Sequence, residues 1–170
     1  MTSIGQTTTQ RNRTGARRDA GTVDLKEVGG CMLLRVRRLA RRAATIYDRH
    51  LEPVGLNIGQ FGLLAQILAL TQIMPPGGSL GTVAERFGMD PTTLNRSLKP
   101  LAASGWVTIK TDPNDRRARI VSTTAAGRDK VVEAVPYWRA AEAEVEKAVG
   151  RETMRAMNGL IDQATSKLIG

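Results

Sequence analysis

Apolar residues recur at three- and four-residue steps from Cys31 to Leu51, through Met32, Val36, Leu39, Ala40, Ala43 and Tyr47. That spacing predicts a long amphipathic helix. Gly55 and Asn57 punctuate its exit. Ile58 to Leu70 is almost wholly apolar, which predicts a second helix buried on most sides. Pro75-Pro76-Gly77-Gly78 reads as a loop. A short helix follows from about Gly81 to Phe87, ended by Gly88. Asp90-Pro91 opens the next helix: the carboxylate accepts from exposed N–H groups, and proline suits the first turn. It runs to about Ser104, where Gly105 stops it, and Pro100 inside it predicts a kink.

Trp106 to Lys110 and Arg119 to Ser122 read as two short strands, with Asp112-Pro113-Asn114-Asp115 as turn chemistry between them. Thr123 or Thr124 caps a long helix to about Val149, kinked at Pro136. A last helix spans about Glu152 to Leu168, its apolar residues Met154, Met157, Ile161, Ala164 and Leu168 again three and four apart. The predicted class is mainly α with a small β-hairpin wing, a winged helix-turn-helix plus a helical dimerisation region (α+β). Four segments result: a disordered basic arm at 1–24, a first dimerisation helix within 25–56, the winged helix-turn-helix at 57–123, and C-terminal dimerisation helices at 124–170.

Charge sharpens the picture. The 170 residues carry a net charge of +9, which suggests a polyanionic partner, nucleic acid before membrane. Residues 31–51 hold six Arg against one Asp, a net of +5, and residues 80–122 hold seven basic and four acidic residues, a net of +3. Residues 124–170 hold seven of each and balance. Solubility alone would not require that segregation. The arm adds Arg11, Arg13, Arg17 and Arg18. No apolar run approaches the roughly 18 residues of a membrane span, and the start lacks a secretory pattern. A single cysteine fits a reducing cytoplasm. One histidine and one cysteine argue against a zinc site. No Gly-rich phosphate loop, nucleophile elbow or paired acid and base marks an enzyme or a cofactor.

With Leu94, Leu98 and Leu101 turned inward, Thr92, Arg96 and Lys99 fall on the opposite face, and Thr93 and Asn95 on its flanks. Arg donates two bonds to a guanine edge, Asn reads adenine bidentately, and Lys suits a phosphate. The predicted partner is therefore double-stranded DNA. In the wing, Asp115, Arg116 and Arg117 at the tip form a second grip with Lys110 and Arg119 on the strands: an arginine enters a narrow minor groove, and Asp115 braces the Arg117 guanidinium.

The stretch Leu80-Gly-Thr-Val-Ala-Glu-Arg-Phe-Gly-Met-Asp-Pro-Thr-Thr-Leu-Asn-Arg resembles the helix-turn-helix of MarR-type regulators. Leu101-Ala-Ala-Ser-Gly-Trp-Val, Asp112-Pro-Asn-Asp-Arg-Arg and Ser122-Thr-Thr-Ala-Ala-Gly are similar to that family's wing and its exit, and Gly55-Leu-Asn-Ile-Gly-Gln-Phe to its second helix. Trp106 and Pro100 depart from the usual small aliphatic and polar residues. The resemblance implies a homodimeric regulator, expected to be a repressor, whose first and last two helices interlock. It also implies control by a small ligand or by cysteine oxidation.

For the ligand, Arg35, Arg38 and Arg42 share a helix face and suit the carboxylate of an aromatic acid, with Tyr47, His50 and Trp138 nearby. The alternative has those arginines solvated or paired to Glu142, Glu144 or Glu146, His50 a helix-end residue and Trp138 core. For oxidation, Cys31 resembles the sensing cysteine of the family's organic-hydroperoxide branch, but that branch's tyrosine partners are missing: Tyr47 and Tyr137 are the only tyrosines. The other reading makes Cys31 a small buried hydrophobe. Two further classes compete: a nucleoid-coating protein without base specificity, and a winged-helix protein–protein module, which would not need Arg116 and Arg117.

Overall fold

The computed structural model describes residues 29–168. The basic arm expected at 1–24 lies outside them. Six α-helices and three strands follow in order: α1 (Met32–Leu51), α2 (Ile58–Ile73), β1 (Gly78–Ser79), α3 (Leu80–Phe87), α4 (Pro91–Ala103), β2 (Val107–Thr111), β3 (Arg119–Thr123), α5 (Ala125–Val149) and α6 (Arg151–Leu168). The chain divides into two compact units after Val36. Everything from Arg37 onward belongs to the second.

Local chemistry sets most boundaries. A short 3-10 turn, Glu52–Val54, follows α1 and ends at Gly55 with φ +68°. Asn57 caps α2 through a reciprocal capping box with Gln60. The Ile58 N–H, also orphaned at that helix start, donates to Asp48 Oδ1 of α1 at 2.7 Å. Ser79 caps α3, Asp90 caps α4 and Thr124 caps α5. Gly88 leaves α3 at φ +58°, a left-handed conformation in which a side chain would be strained. Both internal prolines lie within helices that continue past them, α4 through Pro100 and α5 through Pro136.

The core centres on α2, which buries Phe61, Leu63, Leu64, Ile67 and Leu70. Leu51, Val83, Leu94, Leu98, Leu101, Val107, Val121 and Val131 close around it. Each fully buried Leu or Val here is worth about 1.5–3 kcal/mol of transfer free energy. The absence of charged residues on α2 follows: helices and the sheet cover it on several sides.

The sheet has three antiparallel strands in the order β1-β3-β2, not the two-stranded hairpin expected. Val107 faces Thr123, Ile109 faces Val121 and Thr111 faces Arg119. On the other edge Gly78 pairs with Val121 and Ser79 with Ile120. The loop read from Pro75 to Gly78 therefore ends in a strand. No side chain fits at Gly77, where a Cβ would strike the Val121 carbonyl.

Candidate nucleic-acid interface

The reader helix α4 separates its faces as its period predicts. Leu94, Leu98 and Leu101 are buried, while Thr92, Thr93, Asn95, Arg96 and Lys99 are exposed. Asp90 fixes the helix start. Its Oδ1 accepts from the Thr92 and Thr93 N–H groups at 2.9 and 3.0 Å, and its Oδ2 accepts from the Thr93 hydroxyl at 2.5 Å. The Thr93 hydroxyl, then its N–H, hold the Asp90 carboxyl below the usual carboxylate range. With its proton committed to Asp90, the Thr93 hydroxyl has only acceptor capacity left for DNA, beside its methyl. Arg96 and Lys99 have no ion-pair partner among the described residues.

The wing tip is ordered by two small turns. Asp112 Oδ1 accepts from the Asn114 N–H at 2.8 Å, and Asp115 Oδ1 from the Arg117 N–H at 2.9 Å. The backbone closes the tip through Asp112 N–H to the Ala118 carbonyl and Ala118 N–H to the Asp115 carbonyl, both 2.9 Å. This corrects the expected brace. Asp115 holds the backbone of Arg117, not its guanidinium, because residues 115–117 form a turn and not a strand with side chains alternating across it. Arg116, Arg117 and Lys110 all stand exposed. At the wing root a cavity of about 300 Å³ is lined by Ser79, Leu80, Gly81, Arg117, Ala118 and Arg119. It brings Arg117 and Arg119 beside the start of α3. Arg119, expected on a wing strand, lies on β3 and is exposed.

The residues expected to hold a ligand do not converge. The Tyr47 hydroxyl donates to Glu142 Oε1 at 2.7 Å, and burial together with that carboxylate pushes its pKa up. His50 Nε2 lies 2.8 Å from Glu144 Oε2, and Arg49 Nη2 lies 2.6 Å from both Glu144 oxygens. The hydrogen bonds from Arg49 first and then from His50 hold the Glu144 carboxyl below its ordinary range. Trp138 stacks on Phe61 with centroids 6.0 Å apart, at the core's edge. Arg38 and Arg42 are exposed, as is Arg35 in the first unit. The acids of α5 thus meet Tyr47, Arg49, His50 and, from Glu146, Arg151, and not the three arginines considered. Arg49 was missed because its partner lies 95 residues away. Cys31 is exposed, just ahead of α1, and so is not the buried hydrophobe expected.

No single described helix is long and apolar enough to cross a membrane. Residues 55–118, the reader helix and most of the wing among them, match the model of the MarR family. The chain is similar to the transcriptional regulator MosR of M. tuberculosis solved in complex with DNA, with 34% identity and a TM-score of 0.67. That match covers 81% of this chain and 98% of the other. A second MosR structure matches at 33% identity and a TM-score of 0.65, over 81% of this chain and 96% of the other. The MepR–DNA complex of S. aureus shares the fold at 16% identity, with a TM-score of 0.67 over 81% and 98% of the two chains. Both MosR structures are of a transcriptional regulator. Reader helix, capped start, three-stranded wing and these similarities together establish that the chain belongs to the MarR family of transcriptional regulators.

Proposed function

We propose that this DNA-binding regulator works as a homodimeric repressor on a pseudo-palindromic operator, released by a small organic ligand. The observation that carries the DNA reading is the exposed face of α4. It presents Thr92, Asn95, Arg96 and Lys99, with no carboxylate after the helix cap. Asn95 and Arg96 are the base readers, Lys99 and the wing-root Arg119 the phosphate contacts, and Arg117 the minor-groove contact. The dimer is supported by α6, none of whose eighteen residues is buried. A second copy on that helix sets two reader helices on half-sites whose centres lie about 10–10.5 bp apart. Ligand release draws support from Arg38 and Arg42 on α1, which are exposed, have no ion-pair partner among the described residues and can take up a carboxylate.

Footprinting on genomic fragments tests the reading. A short two-lobed footprint is expected, whereas uniform protection would favour a DNA-coating protein. Arg96→Ala should cost roughly 1–3 kcal/mol on the preferred site and relax one or two positions of it. Lys99→Ala should weaken all sequences alike. Equal losses on specific and random DNA for Arg96→Ala would remove its base-reading role.

A second reading, release by oxidation, is favoured by the exposure of the Cys31 thiol. Cys31→Ser and the wild type, each with and without an organic hydroperoxide, separate the two. Peroxide release of the wild type alone makes Cys31 the sensor, and equal insensitivity leaves the ligand.

A further inference from the structure

The passage from the wing into α5 is built as a weld. The Thr124 N–H donates to the Trp106 carbonyl at 3.0 Å, and the Thr124 hydroxyl lies 2.7 Å from the Gly105 carbonyl and 3.2 Å from that of Trp106. One turn later Gly127 presses on the same carbonyl so closely that a Cβ would overlap it. Beside this contact the Lys130 ammonium meets three neighbours. It donates to the Val54 carbonyl at 3.3 Å, pairs with Glu133 Oε2 at 2.7 Å, and stands 5.4 Å from the centroid of the Trp106 ring. Only 19% of its side chain is exposed.

Those contacts join three parts: the turn leaving α1, the entry to the wing, and α5. An ammonium held by a carbonyl, a carboxylate and a π face is oriented from three directions. Surface lysines are ordinarily free to rotate, so this one has been placed by its neighbours.

We propose that Lys130 is a positioning residue that fixes the angle between the reader module and α5, and so sets the half-site spacing that the regulator accepts. This rests on the dimeric operator reading above. The leverage comes from length. α5 has 25 residues, which span about 37 Å at 1.5 Å each. A tilt of roughly 5° at the weld moves the far end by about 3 Å, close to the rise of one base pair. A joint with several degrees of play would therefore let the two reader helices settle on operators of the wrong length.

The test uses the full chain and a duplex selected by the wild type from a random library. Three DNAs are compared: the selected site, the same site with one base pair inserted at its centre, and a single half-site. Lys130→Met keeps the stem and removes the charge. It should bind the selected site about tenfold more weakly, matching a loss of the size that a partly buried cation–π and ion-pair contact supplies. Its half-site binding should stay within about twofold, and its penalty for the inserted base pair should shrink. Trp106→Leu removes the ring while leaving the ion pair, and should move the same ratio in the same direction. It carries the test if Lys130→Met does not fold. Lys130→Arg, which keeps a cation over the ring, should restore spacing discrimination. Proportional losses on half-site and full site, with an unchanged insertion penalty, would overturn the positioning role and make Lys130 merely stabilising. Indifference to the insertion by the wild type would overturn the dimeric reading, and this inference with it.

Discussion

At the scale of single residues, the sequence shows which side chains can meet DNA better than it shows what holds them. The outward positions of α4 follow from the placement of Leu94, Leu98 and Leu101, and burial divides the helix along the same line. Hydrogen-bond partners were less legible. Asp115 was paired with the wrong part of Arg117 because a two-residue spacing implies one side of a strand, whereas a turn puts a backbone N–H nearest the carboxylate. Asp115→Ala should therefore weaken operator binding severalfold, even though it removes a negative charge from a DNA-facing loop. The wing tip loses the bond that orders Arg117, and an arginine must be ordered again before it enters a groove. Binding isotherms at moderate salt check the sign. Tighter binding by the variant would mean that simple repulsion outweighs the turn.

Elements were the most legible level, since their ends carry their own chemistry. Asp90-Pro91, Gly88 and Gly105 could each be assigned from neighbours within four residues, and each marks an observed boundary; of Thr123 and Thr124, the structure makes Thr124 the cap of α5. β1 could not. Two residues show no period, and Gly78-Ser79 becomes a strand only because β3 offers a free edge. The ties between α1 and α5 were equally hidden, because Arg49 and Glu144 share no local pattern. That tie makes stability depend on pH. The folded Glu144 carboxyl lies below its ordinary value of 4.5. Its contribution is thus complete above that value and is lost as pH falls through the lower folded one. The difference in melting temperature between wild type and Glu144→Gln should narrow between about pH 5 and pH 3. A difference that stays constant over that range would show that the carboxylate gains nothing from Arg49 and His50.

The whole molecule was legible in outline. Segregation of charge separated a basic reader from a neutral C-terminal pair of helices. Where the reader module is anchored was not visible, because Val54, Trp106 and Lys130 lie far apart in sequence. Assembly has a direct test. Leu160, Ile161 and Leu168 stand exposed on α6. Replacing Ile161 and Leu168 with Glu should give monomers by sedimentation and abolish tight operator binding. An unchanged dimer would place the interface elsewhere. Single-site affinity for a half-site should survive in the monomer, since neither residue belongs to the reader module.

Dilution gives the bare surface of α6 a further meaning. A helix of eighteen residues with none buried draws little from core packing, which supplies most of the stability of helices in folded proteins. On the dimeric reading, α6 gains a packed face when a second copy arrives, so association and stability are linked. Operator occupancy then rises more steeply than the first power of protein concentration. A cell that halves its stock of this protein loses more than half of the bound form, and newly exposed α6 segments become open to proteases. The same bare helix that calls for a partner thus doubles as a gauge of how much of the regulator is present.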